Sequence, residues 1–202
     1  MARDNDTKEL EIWRNLDKKW SIIDMGLQYP EVLEDIIYHN HKFYAVLPKG
    51  HTVTVDPKSL TVTGVAEKLQ LDWKYWMIYL IELNNDLFLI VQFQEYDDDD
   101  EYNIALFKLN EENQKWVPVV DGLEVEDSVL FVGRRRIAYS FSIKEVAGCK
   151  GGCVYYADYN SVIEDYPGQD TWICDFKDHV VGHLPGFPGY LNLFWPPPAW
   201  LK

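Results

Sequence analysis

Four runs of strand-like sequence follow one another in the middle of the chain, and their apolar content falls from the first run to the last. Residues 76–83 and 87–93 are almost continuously apolar, β-branched and aromatic, which is typical of strands covered on both faces. The run 102–109 is more mixed, and the run 115–120 contains Pro118, whose missing N–H restricts it to an edge strand. This gradient indicates a propeller blade, in which the outermost strand meets solvent.

Two further groups of runs flank this stretch and share its pattern rather than its residues. The predicted strands of the two groups are 35–39, 43–47, 51–56 and 60–65, and then 128–132, 137–141, 154–157, 171–176 and 179–184. Degenerate repeats of about 40–50 residues, each with four strands, are typical of β-propellers. We therefore predict an all-β, kelch-like, β-propeller-like fold built from four-stranded antiparallel blades.

The pattern accounts for about three blades, whereas propellers typically close with about four to eight. Flanking segments could build another blade, two copies of the chain could associate, or the chain could be part of a longer ancestral domain. An unclosed arc would expose two apolar blade faces, which solubility disfavours. We expect an incomplete or unusually closed propeller, and a homodimer stays an open alternative.

The two ends of the chain carry weaker signals. Residues 1–17 offer at most one short, weakly amphipathic helix, and residues 20–23 one isolated strand. We place a lead-in at residues 1–29 and the propeller-like domain, with a Pro-rich C-terminal strap, at residues 30–202. The terminal WPPPAW could bind a Pro-recognition domain, but a stiff strap that buries its two tryptophans against the last blade is favoured.

Composition excludes several classes of partner. The net charge of −14 repels phosphate backbones and anionic lipid surfaces, so we expect no nucleic acid and no membrane among the partners. No run approaches the ~20 apolar residues of a membrane helix, and the first residues show no secretion signal. The chain has three cysteines, which is an odd number and a low density for a secreted scaffold held by disulfides. This favours a reducing cytoplasmic or nuclear location.

The sequence supports neither a metal nor a cofactor. Cys149, Cys153, Cys174, His179 and His183 have nearly finger-like spacing, but the two histidines fall in a strand-like run, which would separate them by about 13 Å. The run DDDD lacks the spaced ligands and the glycine of a calcium loop. No nucleophile motif and no phosphate-binding loop is present, so we predict no catalytic residue.

Two loops are the candidate binding sites. Arg134, Arg135 and Arg136 form a basic cluster in an acidic chain, and we predict that they lie in a turn between inner strands. They could grip carboxylates or a phosphorylated partner, or one could pair with a nearby acid while the others are solvated. The acidic loop bounded by Tyr96 and Tyr102 could steer a basic partner.

Several segments together resemble one known family. They are GCKGGCVYYAD at 148–158, the terminal WPPPAW, VLFVG at 129–133, and the stretches 35–56 and 105–118. As a set, they resemble the plant F-box-associated domain of unknown function 295, also called the KIB-type β-propeller, over approximately residues 30–201. The resemblance implies a propeller that recognises a target protein, preceded in the family by an F-box that binds the Skp adaptor of a cullin-RING ubiquitin ligase.

The first 30 residues depart from that family pattern, because they are too few and too polar to form an F-box. Only target recognition is therefore carried over, and we do not expect Skp adaptor binding. We predict a non-enzymatic protein–protein recognition module whose target is unidentified. The alternatives are a propeller-type hydrolase with a carboxylate pair in its central channel, and a structural fragment that folds as a dimer.

Overall fold

The computed structural model describes residues 2–4, 10–15, 17–25, 33–71, 75–94, 102–133, 137–146, 149–157, 171–178 and 180–183. Within these ranges the protein is built from β-strands joined by turns, with two short 3-10 turns and no longer helix. The strands form four sheets. This arrangement confirms the predicted all-β, propeller-like fold. No helix in the described ranges has the length and hydropathy that crossing a membrane requires.

The chain divides into two compact units, Met1–Pro118 and Val119–Lys202. The first unit begins with a three-stranded antiparallel sheet that the sequence did not predict. Its strands are β1 (Ala2–Asp4), β2 (Leu10–Arg14) and β3 (Lys19–Ile22), in the order β1-β2-β3.

This first sheet corrects two expectations for the N-terminal residues. The predicted weakly amphipathic helix is wrong for residues 10–14, which form a strand. Leu10 and Ile12 are buried, while the residues between and after them are half-buried. That alternation has the period of a strand and not of a helix. The strand near Trp20 is not isolated either, since β3 pairs with β2 through Trp13 and Trp20.

The second and third sheets of this unit each contain four antiparallel strands in chain order. The second sheet holds β4 (Asp35–His39), β5 (Lys42–Val46), β6 (Thr52–Val55) and β7 (Val62–Ala66), with a 3-10 turn at Pro48–Gly50. The third sheet holds β8 (Tyr75–Leu83), β9 (Asp86–Gln94), β10 (Tyr102–Asn110) and β11 (Lys115–Pro118). These strands lie close to the predicted runs, and Pro118 ends an edge strand as expected.

The second sheet is buried on both faces because alternate residues of β5 enter different apolar clusters. Phe43 and Ala45 pack with Leu10 and Ile12 of the first sheet. Tyr44 and Val46 pack with residues of the third sheet, among them Leu80, Leu89 and Val91. Successive sheets of this unit therefore pack face to face, which is the arrangement expected of neighbouring propeller blades.

Polar contacts join the second and third sheets as well. Leu80 donates its backbone N–H to Oδ2 of Asp35 across 2.8 Å. The buried indole Nε1 of Trp116 donates to the carbonyl of Gly50 at 2.9 Å and to Oγ1 of Thr52 at 3.1 Å. Each bond satisfies a polar group that burial would otherwise leave without a partner.

The second unit contains one five-stranded sheet and a 3-10 turn at Leu123–Val125. Its strands are β12 (Ser128–Gly133), β13 (Ile137–Ser142), β14 (Cys153–Ala157), β15 (Thr171–Asp175) and β16 (Val180–His183). Their order is β13-β12-β14-β15-β16, and β12 and β14 are parallel. Because β13 runs antiparallel to β12, it returns the chain to the end of the sheet at which β12 begins, and β14 starts there parallel to β12.

Candidate interaction surface

The binding residues predicted from sequence cannot be placed as a site. Arg134, Arg135, Arg136 and Tyr96 lie outside the described residues. Tyr102 begins β10, where its backbone pairs with Gln94, but its side chain is also outside what the structure describes. These five residues stay predictions.

The second sheet has two different ends. Two of its hairpins, β4–β5 and β6–β7, turn at one end, through Asn40 and His41 and through residues 56–61. Asn40 and His41 both have positive φ, as tight two-residue hairpins require. The other two connections, residues 47–51 between β5 and β6 and residues 67–71 after β7, lie at the opposite end. We call this opposite end the loop end of the second sheet.

Two backbone hydrogen bonds fix the connection after β7. Glu67 donates its N–H to the carbonyl of Gln114 at 3.0 Å, and Leu69 donates to the carbonyl of Lys49 at 2.7 Å. The side chain of Leu69 also covers Gly50, where an added Cβ would lie 3.2 Å from Leu69 Cγ. Gly50 has φ +78°, so the turn favours glycine for its backbone conformation as well as for space.

An open groove of about 380 Å³ lies at the loop end, lined by Lys49, Lys68, Leu69, Gln70 and Leu71. Lys49 and Lys68 are exposed, whereas Leu69 and Leu71 are half-buried and pack against the cluster between the second and third sheets. The sequence did not predict this groove. The two lysines are nineteen residues apart, and no local pattern signals that two loops will bring them together.

The outer face of the first sheet is a second exposed surface. Residues on the face opposite Leu10 and Ile12 include Trp13 and Trp20, whose rings meet edge to face with centroids 5.8 Å apart. Ile22 lies on the same face and is 60% exposed. An aromatic pair beside an exposed aliphatic side chain is typical of an association surface.

In the second unit, residues 149–153 form a tight turn in which Gly151 and Gly152 are required by their surroundings. A Cβ on Gly151 would overlap the backbone carbonyl oxygen of Glu126. Gly152 has φ +71° and donates its N–H to the carbonyl of Ser128 at 2.9 Å. The turn therefore holds the residues just before β12 beside the start of β14.

Lys150 joins this turn to the β15–β16 connection. Its Nζ forms ion pairs with the buried Asp175 and, at 3.2 Å, with the exposed Asp178. Burial by itself would raise the pKa of Asp175, but the hydrogen bonds from Lys150 and from the backbone N–H groups of Asp178 and Lys177 outweigh it and lower that pKa. The hydrogen bonds to Asp175 and Asp178 raise the pKa of Lys150.

The three cysteines are buried and free. Burial raises the pKa of the Cys153 and Cys174 thiols to about 12, and it also raises the pKa of Cys149. His179 lies outside the described residues, as does the side chain of His183. The described part of the chain contains no group of three or more His, Cys, Asp or Glu side chains placed to hold a metal ion.

Comparison with known proteins identifies the family. Residues 1–181 match the family described as the KIB1-4 beta-propeller. The chain belongs to the KIB1-4 β-propeller family. This membership confirms the predicted resemblance to plant F-box-associated, KIB-type propellers. The match begins at residue 1, so it includes the first sheet, while the boundary after residue 29 stays a prediction.

Relatives of this KIB1-4 β-propeller include F-box proteins of Arabidopsis thaliana. The chain is 26% identical to "F-box protein SKIP23" over 214 residues, which cover 96% of this chain and 51% of the relative. It is 24% identical to a putative F-box/kelch-repeat protein over 203 residues, which cover 95% of this chain and 52% of the relative. The chain thus spans about half the length of the curated relatives it matches.

Proposed function

We propose that this chain is a non-enzymatic protein–protein recognition module, comparable to the target-binding part of an F-box ubiquitin-ligase substrate receptor. Membership of the KIB1-4 β-propeller family and the F-box names of the relatives support a role in binding other proteins. Because the chain spans about half of each relative, the proposal concerns recognition of a target protein and does not extend to an adaptor.

The observation that carries the proposal is the groove at the loop end of the second sheet. Its walls are short connections held by hydrogen bonds at Lys49 and Gln114, and the sheet beneath them is buried on both faces. Loops on a rigid scaffold are where binding groups concentrate, because little conformational freedom is lost when a partner docks.

The hydrolase alternative needs a pair of carboxyl groups, one of which has a raised pKa so that it can donate a proton. Asp175 has a lowered pKa, for the reasons given above. Backbone hydrogen bonds from Ser59 and Lys58 likewise lower the pKa of Asp56. Both shifts favour the charged carboxylate, so neither residue has the character of a general acid.

The dimer alternative is favoured by the face that carries Trp13, Trp20 and Ile22. If this face were covered by a second copy, the chain would have a mass of twice 23.7 kDa in solution. Size-exclusion chromatography with light scattering measures that mass directly. A dimer that dissociates only on unfolding would support the structural-fragment alternative over an independent recognition module.

Affinity purification from plant extract, followed by mass spectrometry and by binding of the purified partner, tests the proposal. The control resin carries an unrelated protein of similar size and net charge, so that capture by the −14 charge alone is recognised. We expect one plant protein to be enriched over this control and to bind the purified chain in a saturable way.

Failure of every enriched protein to bind the purified chain would refute the proposal. Hydrolysis of a glycoside or ester substrate by the purified chain would also refute it. Recovery of Skp and cullin subunits that bind the purified chain directly would refute the expectation that adaptor binding is absent.

A further inference from the structure

We infer that the groove at the loop end of the second sheet binds an acidic segment of a partner protein, one that also carries an apolar side chain. The inference rests on the proposed recognition function and specifies the chemistry of the recognised segment. It depends on three features of the described residues: two exposed lysines that line the groove, two half-buried leucines that also line it, and backbone hydrogen bonds that fix its connections.

The charge of the groove is opposite to that of the whole chain. Lys49 and Lys68 both line it, although the chain as a whole carries a net charge of −14. An ammonium group has three N–H donors, so each lysine can bind a carboxylate and keep another contact. Glu67 precedes Lys68 but does not line the groove. A carboxylate of the partner that enters the groove would therefore meet lysine side chains from both connections.

Two leucines provide the apolar part of the site. Leu69 and Leu71 are each half-buried, and they contribute to the cluster between the second and third sheets while also lining the groove. A volume of about 380 Å³ lies at the small end of the range of about 300–1,000 Å³ typical of ligand sites. It suits a short peptide segment that places one apolar side chain between the two leucines.

The backbone of the groove is ordered before any ligand arrives. Pro48 begins the 3-10 turn that carries Lys49, and the proline ring fixes its own φ. The bond from Leu69 N–H to the Lys49 carbonyl ties the two walls together at 2.7 Å. Gln70 donates from its side-chain amide to the Lys68 carbonyl at 3.3 Å. These bonds restrict the backbone at Lys49, Lys68 and Leu69 in the free chain, which lowers the entropic cost of binding.

Fluorescence anisotropy with three labelled six-residue peptides tests the inference. The peptides are an acidic and apolar one (EDLEDL), an acidic one without apolar residues (EDSEDS), and a basic and apolar one (KRLKRL). We expect the first to bind the full chain, the second to bind about tenfold more weakly, which corresponds to one apolar side chain, and the third not to depend on the groove.

Two double variants locate the binding. K49E with K68E reverses both groove charges, whereas K42E with K58E reverses two exposed lysines at the opposite end of the same sheet. Each pair changes the net charge from −14 to −18, so long-range repulsion of an acidic peptide is the same in both. We expect the groove variant to weaken EDLEDL binding by about tenfold or more and the control variant by less than about threefold.

Equal effects of the two double variants, or no binding of EDLEDL by the wild-type chain, would overturn the inference. Circular dichroism of both variants checks that the sheets are intact. The partner recovered from plant extract separates the two proposals: if K49E with K68E still binds that partner normally, recognition stands and the groove assignment fails. If no partner binds at all, the proposed function itself fails.

Discussion

The substitution Gly151→Ala is expected to destabilise the second unit strongly, because the added Cβ overlaps a backbone atom. An ideal Cβ would fall well within the 3.0 Å that real Cβ atoms keep from the carbonyl oxygen of Glu126, and it would lie 3.1 Å from Ile143 Cδ1. The carbonyl would have to move by roughly 1 Å to relieve the overlap. Backbone cannot give way as the end of a flexible side chain does.

The neighbouring hydrogen bonds allow the effect to be estimated. Gly152 donates to the Ser128 carbonyl, and Ile143 donates to the Asp127 carbonyl, each at 2.9 Å. These bonds hold the two residues that follow Glu126 and the residue that follows Gly151, so a movement of the Glu126 carbonyl stretches at least one of them. Overpacking costs about 1–3 kcal/mol and a lost hydrogen bond about 0.5–1.5 kcal/mol, which together predict a loss of about 2–4 kcal/mol.

Gly64→Ala is the matched control, because no atom lies within 4 Å of the Cβ position and Gly64 sits in β7 without a positive φ. Reduced freedom of the unfolded chain is expected to stabilise this variant by about 0.4–1 kcal/mol. Urea unfolding followed by circular dichroism measures both free energies. Hydrogen exchange with mass spectrometry should show faster exchange of β12 and β14 in Gly151→Ala and unchanged exchange of β8 and β9.

Two results would refute this reasoning. One is a Gly151→Ala variant whose stability lies within about 0.5 kcal/mol of the wild-type value, a difference typical of neutral surface substitutions. The other is a Gly64→Ala variant that is destabilised as much as Gly151→Ala, which would mean that loss of glycine in general, and not the overlap, is responsible.

Two further substitutions and one reactivity measurement test other contacts. Trp116→Phe keeps a buried aromatic ring but removes the indole donor to the Gly50 carbonyl, which still accepts a hydrogen bond from Oγ1 of Thr52 at 2.8 Å. Urea unfolding should therefore give a loss of about 0.5–1.5 kcal/mol, and a neutral result would contradict the assigned bond. The pKa of Asp175 is lower in the folded chain than its unfolded value of 3.8, so the charged carboxylate stabilises the fold above pH 3.8, and this stabilisation is lost as the pH falls through the folded pKa. Lys150→Met removes the side-chain hydrogen bond that lowers the pKa of Asp175, so acid unfolding should begin at a higher pH than in the wild type. The three buried thiols should not react with Ellman's reagent at pH 8 until denaturant is added, and a fast-reacting native thiol would contradict their burial.

Local patterns predicted most of the second and third sheets, because long apolar runs bounded by turn formers specify strands without knowledge of their neighbours. Asn84 and Asn85 illustrate this, since both have positive φ in the tight turn that their residue type indicates. The predicted gradient of burial also follows from local sequence. The gradient reflects the two-sided packing of the inner strands against adjacent sheets.

The features that the sequence did not predict all depend on distant contacts. β2 is only five residues long, and in so short a run the spacing of Leu10 and Trp13 fits a helix as well as the alternation of Leu10 and Ile12 fits a strand. The parallel pairing of β12 with β14 leaves no mark in either strand. The need for glycine at position 151 arises from Glu126, twenty-five residues earlier. The groove likewise exists only after two loops meet.

The two-sided burial of β5 has a consequence for how the first unit tolerates sequence change. Phe43 and Ala45 face one neighbouring sheet while Tyr44 and Val46 face the other, so a repositioning of this strand alters both contacts at once. A compensating substitution for a defect in the first sheet can therefore arise in the third sheet, which the first sheet need not touch. Second-site suppressors should accordingly occur in pairs on opposite sides of β5, and the three sheets should unfold together as one cooperative block.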